Sequence, residues 1–374
     1  AVLPQRIIFS GIEYRDPTLR FCGTSMRGVA EDFHPMRGLI SNAPVDYAMN
    51  SGVLHSAISV GVICPCEHNQ KFAQFISGLN RQSQAKHNTD YLISFPGFYR
   101  AFKTGLDLPD PNSSKWKQIT ASSEWDVHKA AVEFGDSIIR KIDQLSANSI
   151  DVILIYIPEE YEVFTSYTDG TINYDLHDYI KAYAAQKQVA TQFVREKTIE
   201  SDLHCQIMWA LSLALYVKSG RTPWVVNGIQ PDTAFAGIGY SVMNGPSDSN
   251  VVVGCSHIYS SDGCGMKYKL SKIQDYTFDR KKNPYLSEEE AYRIGLNIKE
   301  LFYKSFSELP KRVVIHKRTP FRKEEVKGLV ESLSSAGVKN IELLEITYED
   351  NLKCFALNER CTQVDGYPVR RGMC

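Results

Sequence analysis

Long apolar runs, a strong net charge and paired cysteine motifs are all missing from this sequence. No stretch is long enough to span a bilayer and no apolar leader opens the chain, so we expect a cytoplasmic protein that does not enter a membrane. The 374 residues carry 42 Lys and Arg against 43 Asp and Glu. This balance excludes a uniformly basic protein but allows a basic channel that acidic surface elsewhere offsets.

Phosphate-binding glycine loops are missing as well. No G-x-G-x-x-G or G-x-x-x-x-G-K-[ST] motif follows any predicted strand. Their absence argues against a Rossmann-like metabolic enzyme that binds a nucleotide in its first half. Such an enzyme is the alternative function.

Cysteine usage gives only one weak candidate for a metal site. The nine cysteines are scattered, which is typical of free thiols in a reducing compartment. Cys64, Cys66 and His68 in CPCEH offer metal-ligand atoms, but no second cysteine pair follows at the spacing of a zinc finger. We therefore predict no bound structural metal, with a zinc-dependent interaction module as a further alternative.

The hydrophobic pattern of the first half predicts alternating helices and buried strands. A helical stripe runs from Trp125 to Leu145, and the β-branched run from Ser149 to Glu160 favours a strand that is buried on both faces of a parallel sheet. The apolar stretch Cys205 to Lys218 predicts a helix that ends at Ser219-Gly220, and the strand TPWVV follows it.

The second half has a different order of elements. Three short strand-like runs predict an antiparallel meander: Ala234 to Val242, Val251 to Tyr259 and Gly265 to Ser271. A helix with a Ser287 and Glu290 capping box comes next, then the strand RVVIH, a helix from Glu324 to Ser335 and the strand NIELLEITY. This order is compatible with an RNase H-like sheet, and we place the boundary between two α/β domains, 1–227 and 228–374, near Gly228.

Four polar side chains of the first half could converge on an anion. His177 and Lys181 lie four residues apart and so share one face of a predicted helix. Gln192 opens the next predicted strand, and Lys218 stands near the end of the helix that follows. Lysine supplies a point charge for phosphate, glutamine supplies an amide donor, and imidazole can stack on a terminal base.

The order of these four residues resembles that of the guide-binding residues in the MID domain of Argonaute proteins. This domain binds the 5′ end of a guide strand. The phrase ALYVKSGRTPWVV, which contains Lys218, is similar to the family's apolar helix, lysine and Pro-Trp signature. Ala214 departs from the pattern, since animal Argonautes place a second lysine there. The resemblance implies a Rossmann-like MID domain in which His177, Lys181, Gln192 and Lys218 bind the guide 5′ phosphate. It also implies a possible Mg2+ at that phosphate.

The second half resembles PIWI, the RNase H-like slicer domain of the same family. An active slicer holds two metal ions with aspartates, but Gly239 and Arg318 stand at the corresponding positions. Glycine cannot ligate a metal and a guanidinium repels one, so we expect no enzymatic activity, with an active guide-directed endonuclease as the alternative. A basic cluster, Lys317, Arg318, Arg322 and Lys323, is expected to line the nucleic-acid channel or to be a solvated helix start.

The chain is thus identified as similar to short prokaryotic Argonautes, which lack PAZ, with the carboxy-terminal part of PIWI apparently missing. The resemblance implies a guide RNA, a single-stranded DNA target and a role in prokaryotic antiviral defence. It also implies a partner protein with an APAZ domain, whose effector is TIR-like or sirtuin-like and consumes NAD, or is a nuclease.

Overall fold

The computed structural model describes most of the chain. The described residues are 11–23, 28–47, 57–86, 91–120, 124, 126–170, 172–230, 232–244, 249–256, 268–281, 283–346, 357–358, 360 and 362–364. Within them, no helix is both long enough and apolar enough to cross a membrane.

The first half of the chain alternates strands and helices. Its strands are β1 (Leu19–Cys22), β2 (Val29–Asp32), β3 (Ile58–Pro65), β4 (Leu106–Asp107), β5 (Trp116–Ile119), β6 (Val152–Ile157), β7 (Ser166–Asp169), β8 (Ile172–Asp175), β9 (Ala190–Arg195) and β10 (Val225–Val226). Its helices are α1 (Pro35–Ser41), α2 (Asn69–Ser77), α3 (Phe98–Phe102), α4 (Val127–Ser146), α5 (Leu176–Gln186), α6 (Glu196–Ile199) and α7 (His204–Lys218).

A parallel sheet forms the centre of this half. Its order is β4-β3-β6-β9, with β5 also paired to β3. All six residues of β6 are buried, as the β-branched run predicted, because α4 and α5 cover one face while α2 and α7 cover the other. Each large apolar side chain buried in these layers contributes about 1.5–3 kcal/mol to the free energy of folding. The predicted Rossmann-like arrangement is confirmed.

The second half contains β11 (Thr233–Asn244), β12 (Ser249–Ser256), β13 (Tyr268–Ile273), β14 (Tyr276–Phe278), β15 (Pro284–Leu286), β16 (Arg312–Lys317) and β17 (Asn340–Glu345), with the helices α8 (Glu288–Phe306) and α9 (Lys323–Ser335). One sheet has the order β13-β12-β11-β16-β17. Its first three strands are antiparallel, and β16 runs parallel to both β11 and β17. The predicted meander and βαβ unit are confirmed, although parts of two predicted strands (257–259 and 265–267) lie outside the described residues.

Helices α8 and α9 pack closely together against this sheet. A Cβ on Gly328 would lie 2.2 Å from the backbone oxygen of Glu288, so only glycine allows this approach. The buried side chains between helices and sheet include Ile294, Ile298 and Leu329.

Three local predictions need correction. Ser287 caps α8 by accepting from the Glu290 amide at 3.2 Å, but the Glu290 side chain accepts from the Gln274 amide at 3.1 Å instead of completing a capping box. Only Val225 and Val226 of TPWVV pair as a strand. Strand β9 begins at Ala190, two residues before the predicted Gln192. The domain boundary near Gly228 stays a prediction.

Candidate nucleic-acid interface

Three of the four predicted anion ligands meet around one backbone carbonyl. Lys181 donates to the carbonyl oxygen of Thr191 at short distance and to its Oγ1 at 2.9 Å. Lys218 donates to the same carbonyl at 2.7 Å and to Gln192 Oε1 at 2.6 Å. We call Lys181, Gln192 and Lys218 the lysine cluster. Lys181, Gln192 and Lys218 therefore lie together at the edge of the sheet, and their role at a guide phosphate stays a prediction.

The fold explains why these groups converge. Strand β9 is the edge of its sheet, so the Thr191 carbonyl can accept from side chains. Helix α5 buries Ile180 and Ala184, which leaves Lys181 half-buried beside β9. Helix α7 ends at Lys218, where Gly220 turns the chain with a φ of +78°.

The lysine cluster is electrostatically uncompensated within the described part of the chain. Neither Lys181 nor Lys218 pairs with a described carboxylate; both donate only to neutral oxygens. Burial lowers the pKa of Lys181. Burial, followed by repulsion from the Lys181 ammonium, lowers the pKa of Lys218 to about 8. Two half-buried cations that share one carbonyl create a strongly favourable position for an anion.

His177 lies apart from the lysine cluster, in a neighbouring polar cleft. This His177 cleft has a volume of about 280 Å³ and is lined by Glu162, Thr165, Ser166, Asp175, Leu176, His177, Phe193 and Arg195. The exposed imidazole contacts Asp178 at 3.3 Å, and its ring centroid lies 5.4 Å from that of Phe193. Phe193 was missed by sequence reasoning, although its place next to Gln192 in a strand could have indicated it.

The lysine cluster is a poor ligand set for the Mg2+ expected there. Ammonium groups cannot ligate a cation, and the oxygens of Thr191 and Gln192 already accept from them. Asp175, His177 and Asp178 place ligand atoms within 4.8 Å of one another nearby, but all three are exposed. The two lysines carry positive charge themselves.

The two predicted slicer positions lie together in the second half. Ile238, Lys317 and Glu345 form one row across β11, β16 and β17, so Gly239 and Arg318 follow side by side. Both line a cavity of about 880 Å³, the Gly239 cavity. The cavity is also lined by Asp279, Glu345, Arg280 and Lys281. Sequence reasoning missed these because they come from separate loops and strand ends.

Among the described carboxylates near the meander, Asp232 does not line this cavity, whereas Asp279 does. Asp232 precedes β11 and pairs with Lys311 at 2.8 Å. Asp279 accepts from the side chain and backbone of Asn283, which lowers the pKa of its carboxyl group.

The predicted basic channel cluster must be corrected at Lys317. This side chain is only 2% exposed, and its ammonium donates to both oxygens of Glu325 at 2.6 Å. It also lies 4.6 Å from the ring centre of Tyr285. Lys317 therefore forms an internal ion pair with Glu325 and cannot line a channel surface.

The other members of the basic cluster differ in exposure. Arg318 and Lys323 are exposed. The Arg322 guanidinium stacks 3.8 Å from the ring centre of Tyr285 and donates to Thr277 at 2.8 Å, which makes it a partly structural residue.

The cysteine-based zinc alternative does not fit the geometry. Cys64 is buried and its thiol contacts the Pro65 carbonyl at 3.3 Å, while burial raises the pKa of that thiol. The ligand atoms of Cys64, Cys66 and His68 are not all within 4.8 Å of one another. These three residues therefore do not form a metal site in the structure.

Solved structures of Argonaute proteins match nearly the whole chain. A Clostridium butyricum Argonaute bound to a guide DNA and a 19-mer target DNA matches 92% of it with a TM-score of 0.56 and 14% identity. A. aeolicus Argonaute matches 92% with a TM-score of 0.54 and 16% identity. Drosophila Piwi matches 88% with a TM-score of 0.52 and 13% identity. The chain has an Argonaute fold.

This Argonaute-like chain covers only part of those proteins. It spans 37%, 40% and 40% of the Piwi, C. butyricum and A. aeolicus chains. No protein-family model and no curated protein matches the sequence. The matches show that the predicted MID–PIWI fold is correct.

Proposed function

We propose that this Argonaute-like chain binds the 5′-phosphorylated end of a guide strand and recognises a complementary target without cutting it. The observation that carries the proposal is the lysine cluster. Lys181 and Lys218 are two half-buried ammonium groups with lowered pKa values, and they share the carbonyl of Thr191 with no described carboxylate partner.

A terminal phosphate supplies the charge that this arrangement lacks. A dianion beside both ammonium groups offsets their repulsion and raises their pKa values. Each hydrogen bond between charged groups contributes about 1.5–3 kcal/mol. The amide of Gln192 lies 2.7 Å from the Phe193 carbonyl and can turn to donate to a phosphate oxygen. A 5′-hydroxyl end offers none of these interactions.

The His177 cleft suits the first base of the guide. His177 and Phe193 place two rings beside a polar hollow of about 280 Å³, and bases stack on such rings. His177 precedes Lys181 by one helical turn, so a nucleotide whose phosphate binds the lysine cluster has its base within reach of the cleft.

The remaining steps of the proposal follow the resemblance to short Argonautes. The guide is RNA, the target is single-stranded invading DNA, and the work is done in the prokaryotic cytoplasm. A partner with an APAZ domain contributes the effector activity, which is TIR-like, sirtuin-like or a nuclease. The C. butyricum Argonaute of the same fold is bound to a guide and a target, which supports a two-strand ligand.

The absence of slicing is proposed from the Gly239 cavity. Gly239 offers no ligand, and the Arg318 guanidinium lines the same cavity. A cation at this position repels the two metal ions that slicing requires. Metal at the guide phosphate stays a prediction, and the lysine cluster makes it unnecessary.

A guide-directed endonuclease is the second candidate, and one observation favours it. Asp279 and Glu345 both line the Gly239 cavity and could ligate a metal in place of the missing aspartates. This candidate requires Mn2+- or Mg2+-dependent cutting of a complementary strand by the loaded chain, and loss of cutting in Asp279→Asn and Glu345→Gln.

The deciding experiment for the first proposal compares oligonucleotides that differ only at the 5′ end. Fluorescence anisotropy of a 5′-phosphorylated and a 5′-hydroxyl strand should give a preference of about tenfold or more for the phosphate. Lys181→Met should remove most of that preference. Lys187→Met is the matched control, because Lys187 follows the same helix, is exposed and lies 3.9 Å from Asp143.

The proposal fails if Lys181→Met weakens both oligonucleotides equally. It also fails if the native chain does not distinguish the two 5′ ends while circular dichroism shows a folded protein.

A further inference from the structure

The carboxyl edge of the parallel sheet carries a second cluster of titratable groups. The turn Cys66–His68 follows β3, and the turn Glu159–Phe164 follows Pro158 at the end of β6. The ligand atoms of Glu67, His68 and Glu160 all lie within 4.8 Å of one another, and the imidazole Nε2 contacts a Glu160 oxygen at short distance. In open α/β sheets, ligands bind outside this edge.

Neighbouring side chains already orient two of the three groups. The Tyr161 hydroxyl donates to Glu67 at 2.7 Å, and this bond lowers the pKa of the Glu67 carboxyl group. The His68 ring packs edge-on against the Tyr156 ring, with centroids 5.7 Å apart. Only 18% of the His68 side chain is exposed. Such outer contacts are what fixes ligand geometry in metal sites.

One buried hydroxyl, that of Tyr156, belongs to a ring that packs against His68 of the cluster. Tyr156 is fully buried, and its hydroxyl has no hydrogen-bonding partner in the described part of the chain. The hydroxyl is close enough to Glu196, Lys71 and Glu160 for their charges to act on it. Buried hydroxyl groups are normally hydrogen-bonded. A water held at an occupied site would supply the partner that this hydroxyl lacks.

The ligand chemistry selects the class of ion. One imidazole with two carboxylates suits Zn2+, which accepts nitrogen and oxygen ligands, whereas Mg2+ and Ca2+ prefer oxygen alone. Two carboxylates also balance the charge of a dication. We propose that Glu67, His68 and Glu160 bind one divalent transition-metal ion, with Zn2+ the best match.

An ion at this position joins two segments that are distant in the sequence. It connects the turn after β3 to the turn after β6. The second turn also carries Glu162, which pairs with Arg195 at 3.1 Å in the wall of the His177 cleft. The bound ion therefore fixes one wall of that cleft.

The test is a Zn2+ titration of the full chain after removal of metal with EDTA, followed with a chromophoric zinc indicator. We expect one site whose affinity falls about tenfold or more in His68→Asn and in Glu160→Gln. Glu160 is half exposed, so its variant keeps the fold. The matched control is Asp178→Asn, in the exposed group of Asp175, His177 and Asp178, which should bind as the native chain does.

X-ray absorption spectroscopy at the zinc edge identifies the ligand atoms directly. We expect nitrogen and oxygen neighbours at about 2.0–2.2 Å and no sulfur at about 2.3 Å. Sulfur in the first shell would move the site to the cysteines and overturn the proposal. Equal Zn2+ affinity in the native chain, His68→Asn and Glu160→Gln would overturn it as well.

Discussion

The affinity for a 5′ phosphate should depend on pH through Lys218. Burial and the adjacent Lys181 ammonium lower the pKa of Lys218 to about 8 in the unliganded chain. Lys218 is then about 90% protonated at pH 7 and about 10% protonated at pH 9. If only the ammonium form binds phosphate, the association constant falls about tenfold between these values.

The phosphate itself does not contribute to this change. A phosphate monoester loses its second proton near pH 6, so it is a dianion throughout the interval. The pKa of Lys181 is lowered too, and its deprotonation can only steepen the fall. Binding a dianion raises the pKa of Lys218, so loading near pH 8 should take up protons from the buffer.

The assay is fluorescence anisotropy with 5′-phosphorylated and 5′-hydroxyl oligonucleotides of one sequence at constant ionic strength. The ratio of the two affinities cancels pH effects on the rest of the channel. Lys218→Arg is the matched control, because a guanidinium stays protonated over the whole interval and should make the fall shallower. A ratio that stays constant within about twofold from pH 7 to 9 in the native chain would refute the reasoning about the lysine cluster.

Three further outcomes test the packing around the two sites. The folded pKa of Lys218 lies below its ordinary value of 10.5, so the unfolded chain binds more protons between about pH 8 and 10.5 and unliganded stability should rise with pH there. The melting temperature of Lys218→Met, measured in parallel, should show a smaller rise, since only Lys181 still contributes, and parallel curves would contradict the reasoning. Lys317→Met leaves Glu325 buried without its cation and should lower the free energy of unfolding in urea by about 3–5 kcal/mol, whereas Lys323→Met, at an exposed position, should change it by less than about 0.5 kcal/mol. Gly328→Ala places a Cβ 2.2 Å from the Glu288 oxygen and should cost about 1–3 kcal/mol, with the exposed Ser334→Ala as control; a neutral result would mean that α8 and α9 separate easily.

The order of elements could be predicted because burial leaves a periodic trace in the sequence. The run from Val152 to Ile157 is β-branched or aliphatic apart from Tyr156, and it is buried on both faces. The apolar helix α7 likewise ends at Lys218, and the Gly220 that follows it predicted this end. Lys181, Gln192 and Lys218 were placed together by analogy, and the geometry of β9 brings them to one carbonyl.

Residues whose roles depend on distant partners could not be placed from the sequence. Lys317 stands beside Arg318 in a basic run, which is typical of solvated residues, but Glu325 in the first turn of α9 holds it inside. Asp279 and Glu345 reach the Gly239 cavity from the β14–β15 connection and from the end of β17. His68 suggested a cysteine site by spacing, yet its nearest ligand partners are glutamates, one of them 92 residues away.

In the proposed function, the charges around the Gly239 cavity link recognition of a target to the absence of cutting. Arg280, Lys281 and Arg318 line it together with Asp279 and Glu345, so cations outnumber carboxylates. Asn283 holds Asp279 in its ionised form by hydrogen bonds, yet the two carboxylates cannot offset three cations and also retain two metal ions. The same surplus attracts the phosphodiester of a paired strand. In the proposed function, an uncut target stays bound for as long as its base pairs hold, and the proposed partner, which responds to the guide–target duplex, requires this persistence.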